Sequence, residues 1–437
     1  MDLSGKTLLL MGGSAYSSSI ERYAKEAKFK IIAVGNDPNA PYHKIADKAY
    51  GISTMEIEKI VEIVKQEHCD GVFVGASEVN IPCAIEVCER TGIHFYTDRK
   101  LWSLLSNKRL FKELLKKHGL EVTKEYDFID IEKRKAVEYP VIIKPIDGSG
   151  ARGISIANSQ EELENGYKRA CSVSWTNSAL VEKYITGLDD MFIHYTIIDG
   201  ECSLSCTLDR HLNYSQGGFT GMAVGYTYPS VYTSQYINLI DQKMKKALLD
   251  SGIVNGAINI QCFTNGKYFF FYECGYRLGG EQMYFFTEKL TGINVLEMII
   301  NQALTGKMET SSDVLKKDDP FFKKPCLSYY IPLKPGKIGI IKGINEIRQL
   351  EGVINITEFL QSGDVVEKDG SLNQVALRMH LMAENVEGLS DLVDEVNKLL
   401  KINDTKGSDM IIERLKFKDL PYYHLYDMVK EHKGVQI

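Results

Sequence analysis

The sequence lacks the cysteine patterns of disulfide-stapled and zinc-binding proteins. Its nine cysteines are an odd number, no two of them form a C-x-x-C pair, and no histidine cluster accompanies them. Cysteines without such spacing are typical of reduced thiols in cores and on surfaces. We therefore predict nine free thiols, with a disulfide framework or a zinc site as the alternative.

The sequence also lacks an apolar run of the ~20 residues that a membrane-spanning helix needs. The segment MDLSGKTLLLMGG has too short an apolar stretch for a signal peptide, and no small-residue cleavage site follows it. A net charge of −6 and the lack of a basic run argue against nucleic acid and anionic membranes as partners. These absences predict a cytoplasmic protein that binds neither nucleic acid nor membranes.

Two glycine-rich nucleotide motifs are absent as well. The turn Gly12-Gly13-Ser14 follows a predicted strand, but the next three residues do not complete the dinucleotide fingerprint G-x-G-x-x-G. This turn is either a plain strand-to-helix connection or a ligand contact at the helix start. A second glycine loop, GSGARG at 148–153, is not the G-x-x-x-x-G-K-[ST] loop of P-loop enzymes.

What the first hundred residues contain is an alternation of strand and helix patterns. The predicted strands and helices follow one another at 6–11, 18–28, 29–35, 56–67, 70–75 and 81–90. Repeated βα units favour an open parallel sheet with ligands at the carboxyl ends of its strands. Glu78 falls just past the third strand, where it meets either a substrate or solvent.

From about residue 106 the pattern changes to mixed strands, hairpins and helices. Two hairpins are predicted at Asp199-Gly200 and Asn265-Gly266, dipeptides that are typical of tight turns. The charge-rich segment KKDDPFFKKP connects this part to a final mixed portion. We predict an α/β protein with domains over 1–105, 106–310 and 311–437.

Three stretches of the second domain carry candidate chemistry. Lys144 lies on a strand ahead of the second glycine loop, where backbone amides and a lysine suit a phosphate, although a plain hairpin turn also fits. In LVEKYITGLDD, at 180–190, a solvated charge pair is the alternative to a ligand contact. In FFFYECGYRLGG, at 269–280, Glu273 ends an aromatic strand and needs a partner, either a cation or Arg277.

Taken in this order, the three stretches resemble the ATP-grasp superfamily. The likeness is to the group of biotin carboxylase, carbamoyl-phosphate synthase, phosphoribosylglycinamide synthetase and the L-amino-acid ligases, and it covers most of the chain. The resemblance implies an N-terminal Rossmann-like pre-ATP-grasp domain, a bipartite ATP-grasp α+β domain and a small C-terminal α+β domain.

The resemblance also implies nucleotide-binding roles for individual residues. Lys108 and Lys144 match the two lysines near the phosphates of ATP, and Ser149 and Gly150 lie in the matching mobile lid. The positions that match the adenine-reading hinge and the ribose-binding residue are Glu182, Lys183, Ile185 and Asp189.

The matching metal site differs from the usual pattern. Glu273 matches the magnesium-bridging carboxylate, and Arg277 matches an arginine that faces a phosphate or an acyl-phosphate. The family usually has an acidic residue where this chain has Gln261, and an asparagine where it has Gly275. A glutamine can bind a metal through its amide oxygen but contributes no charge. We therefore predict that Glu273 and Gln261 form a weaker or differently built metal site.

Further residues are suggested by their positions. Asn259 and Glu281 are candidate additional metal ligands. Arg210, between Asp209 and His211, is a candidate contact for a substrate carboxylate, because a planar guanidinium suits a carboxylate or a phosphate. Asp209 and His211 are candidates for the same contact, and exposure to solvent is the alternative for Asp209, Arg210 and His211.

The chemistry implied by the resemblance is an ADP-forming ligation with ATP and Mg²⁺ as cofactors and Mn²⁺ as an alternative ion. A small-molecule carboxylate is phosphorylated, and an amine or a thiol then displaces phosphate from the acyl-phosphate. The alternatives are a bicarbonate-phosphorylating carboxylase, an enzyme similar to carbamoyl-phosphate synthase, and a non-catalytic ATP-binding regulatory module. The resembling enzymes also suggest a homodimer.

Overall fold

The structure is a computed structural model that describes residues 1–13, 16–128, 136–147, 153–213, 221–368 and 372–431. The predicted lid residues Ser149 and Gly150 lie outside the described residues. All nine cysteines are free, as predicted. Within the described part of the chain, no helix is long and apolar enough to cross a membrane.

The first part of the chain forms a parallel four-stranded sheet with helices packed on it. Its strands are β1 (Thr7–Met11), β2 (Lys30–Val34), β3 (Lys48–Tyr50) and β4 (Gly71–Phe73), in the order β3-β2-β1-β4. The accompanying helices are α1 (Ser17–Ala27), α2 (Pro41–Ile45), α3 (Ile57–Gln66), α4 (Asn80–Thr91) and α5 (Arg99–Ser106). The apolar face of the amphipathic helix α3 packs toward the sheet, where Ile60 and Val64 are buried. The predicted open parallel sheet is confirmed.

A small antiparallel sheet follows. The strands are β5 (Glu125–Tyr126), β6 (Val141–Pro145), β7 (Ser155–Ala157) and β8 (Ala179–Lys183), in the order β5-β8-β6-β7. Helix α6 (Lys108–Lys117) precedes this sheet, and α7 (Gln160–Val173) covers it. Their shared core includes Val141, Ile143, Leu163 and Val181.

The largest sheet has eight strands and takes up most of the remaining chain. The strands from here to the C-terminal part are β9 (Asp189–Ile198), β10 (Glu201–Asn213), β11 (Met222–Tyr228), β12 (Gly256–Thr264), β13 (Phe269–Gly275), β14 (Cys326–Pro332), β15 (Gly336–Lys342), β16 (Val353–Glu358), β17 (Val365–Val366), β18 (Val375–Met382) and β19 (Lys401–Asp404). Eight of them form one sheet in the order β13-β12-β9-β10-β11-β14-β18-β16, and the others pair as β17-β15-β19. Both predicted hairpins are present, as β9–β10 and β12–β13. The large sheet crosses the predicted boundary at 310/311.

The helices of this part pack against the large sheet or its edges. They are α8 (Thr233–Tyr236), α9 (Gln242–Asp250), α10 (Tyr284–Thr291), α11 (Val295–Thr305), α12 (Ile344–Arg348), α13 (Val386–Leu399) and α14 (Pro421–Glu431). A π-helical turn at Ile237–Asp241 joins α8 to α9. Helix α11 also contacts β4, so the first sheet and the large sheet share a buried boundary.

The β12–β13 hairpin contains a β-bulge at Tyr272. Gln261 pairs with Glu273 and Cys262 pairs with Phe271, so Tyr272 has no opposing residue of its own. A bulge sets two residues against one and re-aims the side chains next to it. Tyr272 and Glu273 therefore both lie beside Gln261.

Candidate active site

A largely buried group of lysines and glutamates lies where α6 meets the ends of three strands. This lysine cluster consists of Lys108, Lys112, Lys144, Glu182 and Glu273. The first two lysines lie one turn apart on α6, and Lys144 and Glu182 lie on the paired strands β6 and β8. Glu273 reaches the cluster from β13, against which α6 packs. The fold thus joins residues that the sequence places in three separate motifs.

The charges of this cluster are paired at short distances. Lys108 Nζ lies 3.0 Å from Glu273 Oε1, and Lys144 Nζ lies 2.7 Å from Glu182 Oε2. Lys112 Nζ contacts the other oxygen of Glu182, so this carboxylate bridges two lysines. Burial alone would raise the pKa of Glu182, but Lys144 and Lys112 outweigh burial and lower it. Glu182 is therefore an ionised, buried counter-charge for both lysines.

Glu273 is the accessible carboxylate of the cluster. Its side chain keeps 28% of its exposure, whereas that of Glu182 keeps 2%. Burial would raise the pKa of Glu273, but Lys108 and Lys144 lower it on balance. An ionised carboxylate with open space beside it can accept a cation, while Lys144 loses affinity for its proton because burial lowers its pKa.

A second group, the arginine cluster, lies just past the carboxyl end of β13, the end at which Glu273 also lies. It consists of Glu78, His194, Arg277, Glu281 and Arg378. Arg277 Nε and Nη2 lie 2.9 and 2.8 Å from Glu78 Oε1, and His194 Nε2 lies 3.1 Å from Glu281 Oε1. Glu78 follows β4, so the carboxyl end of the parallel sheet faces the end of β13. Of the two alternatives for Glu78, the structure excludes full solvation, since its side chain is only 14% exposed.

Arg378 is the least satisfied member of the arginine cluster. Its Nη1 group donates to the carbonyl oxygen of Gly280 and lies 3.3 Å from the Tyr330 hydroxyl. The guanidinium lies 5.6 Å from the ring centroid of Tyr330 and 5.4 Å from that of Phe359. Its buried Nε and Nη2 groups have no hydrogen-bond partner among the described residues. Each unpaired buried N–H costs about 1–3 kcal/mol, which contacts with the aromatic faces partly offset.

Arg210 belongs to a third group, which joins the bulge to β9. Its guanidinium forms an ion pair with Asp190, and its side chain is 24% exposed. The Tyr272 hydroxyl lies 3.0 Å from Asp190 Oδ1 and 2.9 Å from the Gln261 amide. Arg210 is thus already paired within the protein, and its predicted contact with a substrate carboxylate stays a prediction.

The neighbours of Arg210 have local partners rather than solvent. Asp209 accepts hydrogen bonds from Ser230 Oγ at 2.5 Å and from the Val231 N–H at 2.9 Å, and burial raises its pKa to about 7. His211 Nε2 lies 2.9 Å from Thr227 Oγ1, and burial lowers the pKa of this histidine to about 4. The exposed alternative is therefore wrong for both residues.

The predicted adenine hinge has most of its polar groups engaged. The Glu182 side chain is held by lysines, and the Lys183 N–H donates to the Lys124 carbonyl at 2.9 Å. Ile185 is half-buried just past β8, and the exposed Asp189 accepts a hydrogen bond from Tyr232. The adenine and ribose roles of these residues stay predictions, and any contact of Glu182 with adenine would use its main chain.

Asn259 packs closely against Gly275. Its Nδ2 group donates to the carbonyl oxygens of Gly275 at 3.1 Å and Arg277 at 3.2 Å. A Cβ atom on residue 275 would lie only 2.8 Å from Asn259 Oδ1, so a larger residue there would displace the Asn259 side chain. Asn259 therefore locks the main chain ahead of Arg277. Its suggested role as a metal ligand stays a prediction, as does that of Glu281, whose Oε1 lies 3.1 Å from His194 Nε2.

Two predicted relationships at β13 have clear outcomes. Gln261 and Glu273 do lie opposite each other, as the hairpin suggested. The alternative partner of Glu273 was Arg277, and this is wrong, because Glu273 pairs with Lys108 and Arg277 with Glu78. These partners come from α6 and from the end of β4, which approach β13 only in the folded chain.

Sequence reasoning also missed five residues of these groups, namely Lys112, Tyr272, Asp190, His194 and Arg378. Lys112 carried a signal, since it lies four positions after Lys108 on the buried face of one helix, next to Phe111 and Leu115. Tyr272 carried none, because its role depends on the bulge. Arg378 lies on β18, far along the chain, in a strand whose pattern reports only burial.

Comparisons with known proteins show that part of this chain is similar to a known family. Residues 107–310 match the family described as carbamoyl-phosphate synthase L chain, ATP binding domain. A relative, the carbamoyl phosphate synthase large chain of Clostridium acetobutylicum, is 26% identical over 382 residues, which cover 81% of this chain and 34% of that protein. This chain thus spans about a third of the length of that relative.

Solved structures show the same fold over nearly the whole chain. The biotin carboxylase domain of the Hydrogenobacter thermophilus 2-oxoglutarate carboxylase has a TM-score of 0.78 at 20% identity and covers 98% of both chains. The L-amino acid ligase from Bacillus licheniformis has a TM-score of 0.75 at 18% identity and covers 92% of this chain and 99% of its own. The predicted resemblance to ATP-grasp ligases and the predicted fold class are confirmed.

Proposed function

We propose that this protein is an ADP-forming ligase that phosphorylates a small-molecule carboxylate with ATP and joins it to an amine or a thiol. The observation that carries the proposal is the lysine cluster, in which Lys108 and Lys144 flank the accessible carboxylate of Glu273. Two buried cations suit the phosphates of a nucleotide, and a carboxylate between them suits the cation that accompanies those phosphates.

The residues present fit a magnesium–nucleotide complex. The described residues contain no group of three or more His, Cys, Asp or Glu side chains able to hold a metal by themselves. A cation bound together with phosphates needs only one or two carboxylates, so Glu273 with the Gln261 amide is a sufficient protein contribution. Mg²⁺, or Mn²⁺ in its place, would supply charge stabilisation to the phosphoryl oxygens.

Each cluster then has a distinct task. Lys108 and Lys144 bind and orient the phosphates, and Glu182 keeps Lys144 in place while Lys112 balances its charge. Arg277 lies past β13 and stabilises the oxygens of the transferred phosphoryl group or of the acyl-phosphate. The predicted lid and hinge would close over the nucleotide. The substrates are small molecules, and the homodimer and the cytoplasmic location stay predictions.

A second candidate is phosphorylation of bicarbonate. It is favoured by the structural likeness to a biotin carboxylase domain whose solved complex contains MgADP and bicarbonate. In that case the arginine cluster would hold bicarbonate instead of an organic carboxylate. A non-catalytic nucleotide-binding module is the third possibility that the neutral Gln261 suggests.

The test is ADP release by the purified protein with ATP and Mg²⁺ across a panel of carboxylates and amines, and separately with bicarbonate. We expect release that requires both a carboxylate and a nucleophile and is lost in Glu273→Ala. Release with bicarbonate alone would favour the second candidate. ATP binding that is indifferent to Mg²⁺, with no ADP release from any mixture, would contradict both enzymatic functions.

A further inference from the structure

The Tyr272 hydroxyl lies between two acceptors although it carries one proton. It is 3.0 Å from Asp190 Oδ1 and 2.9 Å from the nearer end of the Gln261 amide, assigned as oxygen. Asp190 forms an ion pair with Arg210, so its carboxylate accepts hydrogen bonds only. The single proton therefore goes to Asp190, because a bond to a charged acceptor is the stronger one.

This proton count decides which way the Gln261 amide faces. The Tyr272 oxygen has already donated its proton, so it can only accept from the amide, and the group nearest to it must be the NH₂ group. The oxygen and nitrogen of an amide have nearly the same shape, and their assignment is made from such networks. The Gln261 oxygen then lies on the opposite side of the amide, away from Tyr272.

The direction of the Gln261 oxygen matters because of the bulge at Tyr272. Gln261 pairs directly with Glu273, and Tyr272 is the extra residue beside them. Gln261 is half-buried, so its side chain is partly open to solvent. A carboxylate at this position would have two equivalent oxygens and need no such orientation, whereas an amide needs it.

We propose that Tyr272 is a positioning residue that turns the Gln261 amide oxygen toward the cation site beside Glu273, with Arg210 and Asp190 fixing the hydroxyl proton. The inference rests on the proposed function, since it requires a divalent cation to bind there with the nucleotide. In this protein, the contacts that run from Arg210 through Asp190 to Tyr272 allow the neutral side chain of Gln261 to serve as a metal ligand.

The test measures Mn²⁺ affinity by electron paramagnetic resonance in the presence of a non-hydrolysable ATP analogue. Tyr272→Phe keeps the ring that stacks on Phe263 at 4.7 Å and lies 5.4 Å from Lys144 Nζ, and it removes only the hydroxyl. We expect its Mn²⁺ affinity to fall about tenfold, as for other residues that orient a metal ligand. Its affinity for the analogue in EDTA should stay within about twofold, since the lysines are untouched.

A double-mutant cycle separates orientation from general damage. In Gln261→Glu the ligand is symmetric, so adding Tyr272→Phe should change Mn²⁺ affinity by less than about twofold. The matched control is Tyr268→Phe, an exposed tyrosine next to the same hairpin turn, which should behave as the wild type. An equal loss in both backgrounds, or no loss in Tyr272→Phe, overturns the positioning role. No Mn²⁺ binding by the wild-type protein would overturn the proposed function as well.

Discussion

The lysine cluster and the arginine cluster lie at the same end of β13 and differ in how completely their charges are paired. In the lysine cluster, Lys108 and Lys144 each lie within 3.0 Å of a carboxylate oxygen, and Lys112 contacts one too. In the arginine cluster, Arg277 has Glu78 at 2.8 Å, but two N–H groups of the buried Arg378 have no partner among the described residues. A complete network contributes to stability, whereas an incomplete one costs part of it.

The two clusters also differ in where their residues come from. The lysine cluster is drawn from one stretch of chain, between Lys108 and Glu273, and its strands and helix are neighbours. The arginine cluster joins the end of β4, strand β9, the turn after β13 and strand β18. The proposed nucleotide site is thus built into one unit, whereas the arginine cluster needs all parts of the fold.

Breaking the pairing of the lysine cluster should have the largest effect. Glu182→Gln leaves Lys112 and Lys144 buried without their shared counter-charge, so the free energy of unfolding should fall by about 3–5 kcal/mol. Denaturant titration measures this change. Glu138→Gln, at an exposed pair with Lys124, is the control and should cost less than about 1 kcal/mol. Equal values for both variants would mean that the buried triad contributes nothing special.

Nucleotide affinity should separate the two clusters next. Lys144→Met should weaken ATP binding at least about tenfold in EDTA, because one charged phosphate contact is lost. Arg277→Met should change the same affinity by less than about twofold if Arg277 acts later, on the transferred phosphoryl group. Calorimetric titration measures both, with the exposed Lys243→Met as the control. Similar losses of ATP affinity in Lys144→Met and Arg277→Met would contradict the proposal that the two residues act at different stages.

The pH dependence of stability should report on His380, a buried histidine whose Nε2 lies 2.9 Å from the carbonyl oxygen of Glu281 in the arginine cluster. Burial, and then the charge of Arg378, lowers the pKa of His380 to about 3. An unfolded histidine binds a proton near pH 6.5, so stability is lost as pH falls from about 6.5 toward 3, by up to about 1.4 kcal/mol per pH unit. His380→Gln should flatten this slope, and the exposed His68→Gln should not. The measurement is the free energy of unfolding between about pH 6.5 and 5. The same pH dependence in the wild type and in His380→Gln would contradict the prediction.

The smallest effect is expected at Arg378. Arg378→Met removes a bond to Gly280 and two aromatic contacts, but it also removes two unpaired buried N–H groups. These opposing changes should leave the free energy of unfolding within about 1 kcal/mol of the wild type. Arg277→Met should cost more, because it leaves Glu78 without its partner. Denaturant titration of both variants measures these changes. A larger loss of unfolding free energy in Arg378→Met than in Arg277→Met would contradict the prediction, because it would mean that the Arg378 guanidinium is well paired.

Much of the fold could be predicted from local patterns. The helix predicted over 56–67 spans Ile57–Gln66, and both hairpin turns lie at the predicted dipeptides. Helical periodicity and turn chemistry act over a few residues, so they are visible in the chain itself. The continuation of the large sheet past residue 311 was not visible, because strand pairing between distant segments leaves no local signal.

The candidate site divides in the same way. Lys108, Lys144 and Glu273 were predicted as a set, and the structure brings them together around α6, β6 and β13. Their ion-pair partners were not predicted, because a carboxylate on a strand can pair with any cation that the folded chain brings near it. Glu182 was assigned to a hinge, whereas the folded chain uses its side chain to bridge two lysines.

The sequence by itself determined the alternation of elements, the turns, and the residue types able to bind a nucleotide. Only the tertiary structure decided that Tyr272 is a bulge residue between Asp190 and Gln261. It also decided that Arg277 pairs with Glu78, which lies 199 residues earlier. Periodicity and turn preference are short-range properties of a chain, while ion pairing and strand register depend on which distant segments come within a few ångströms.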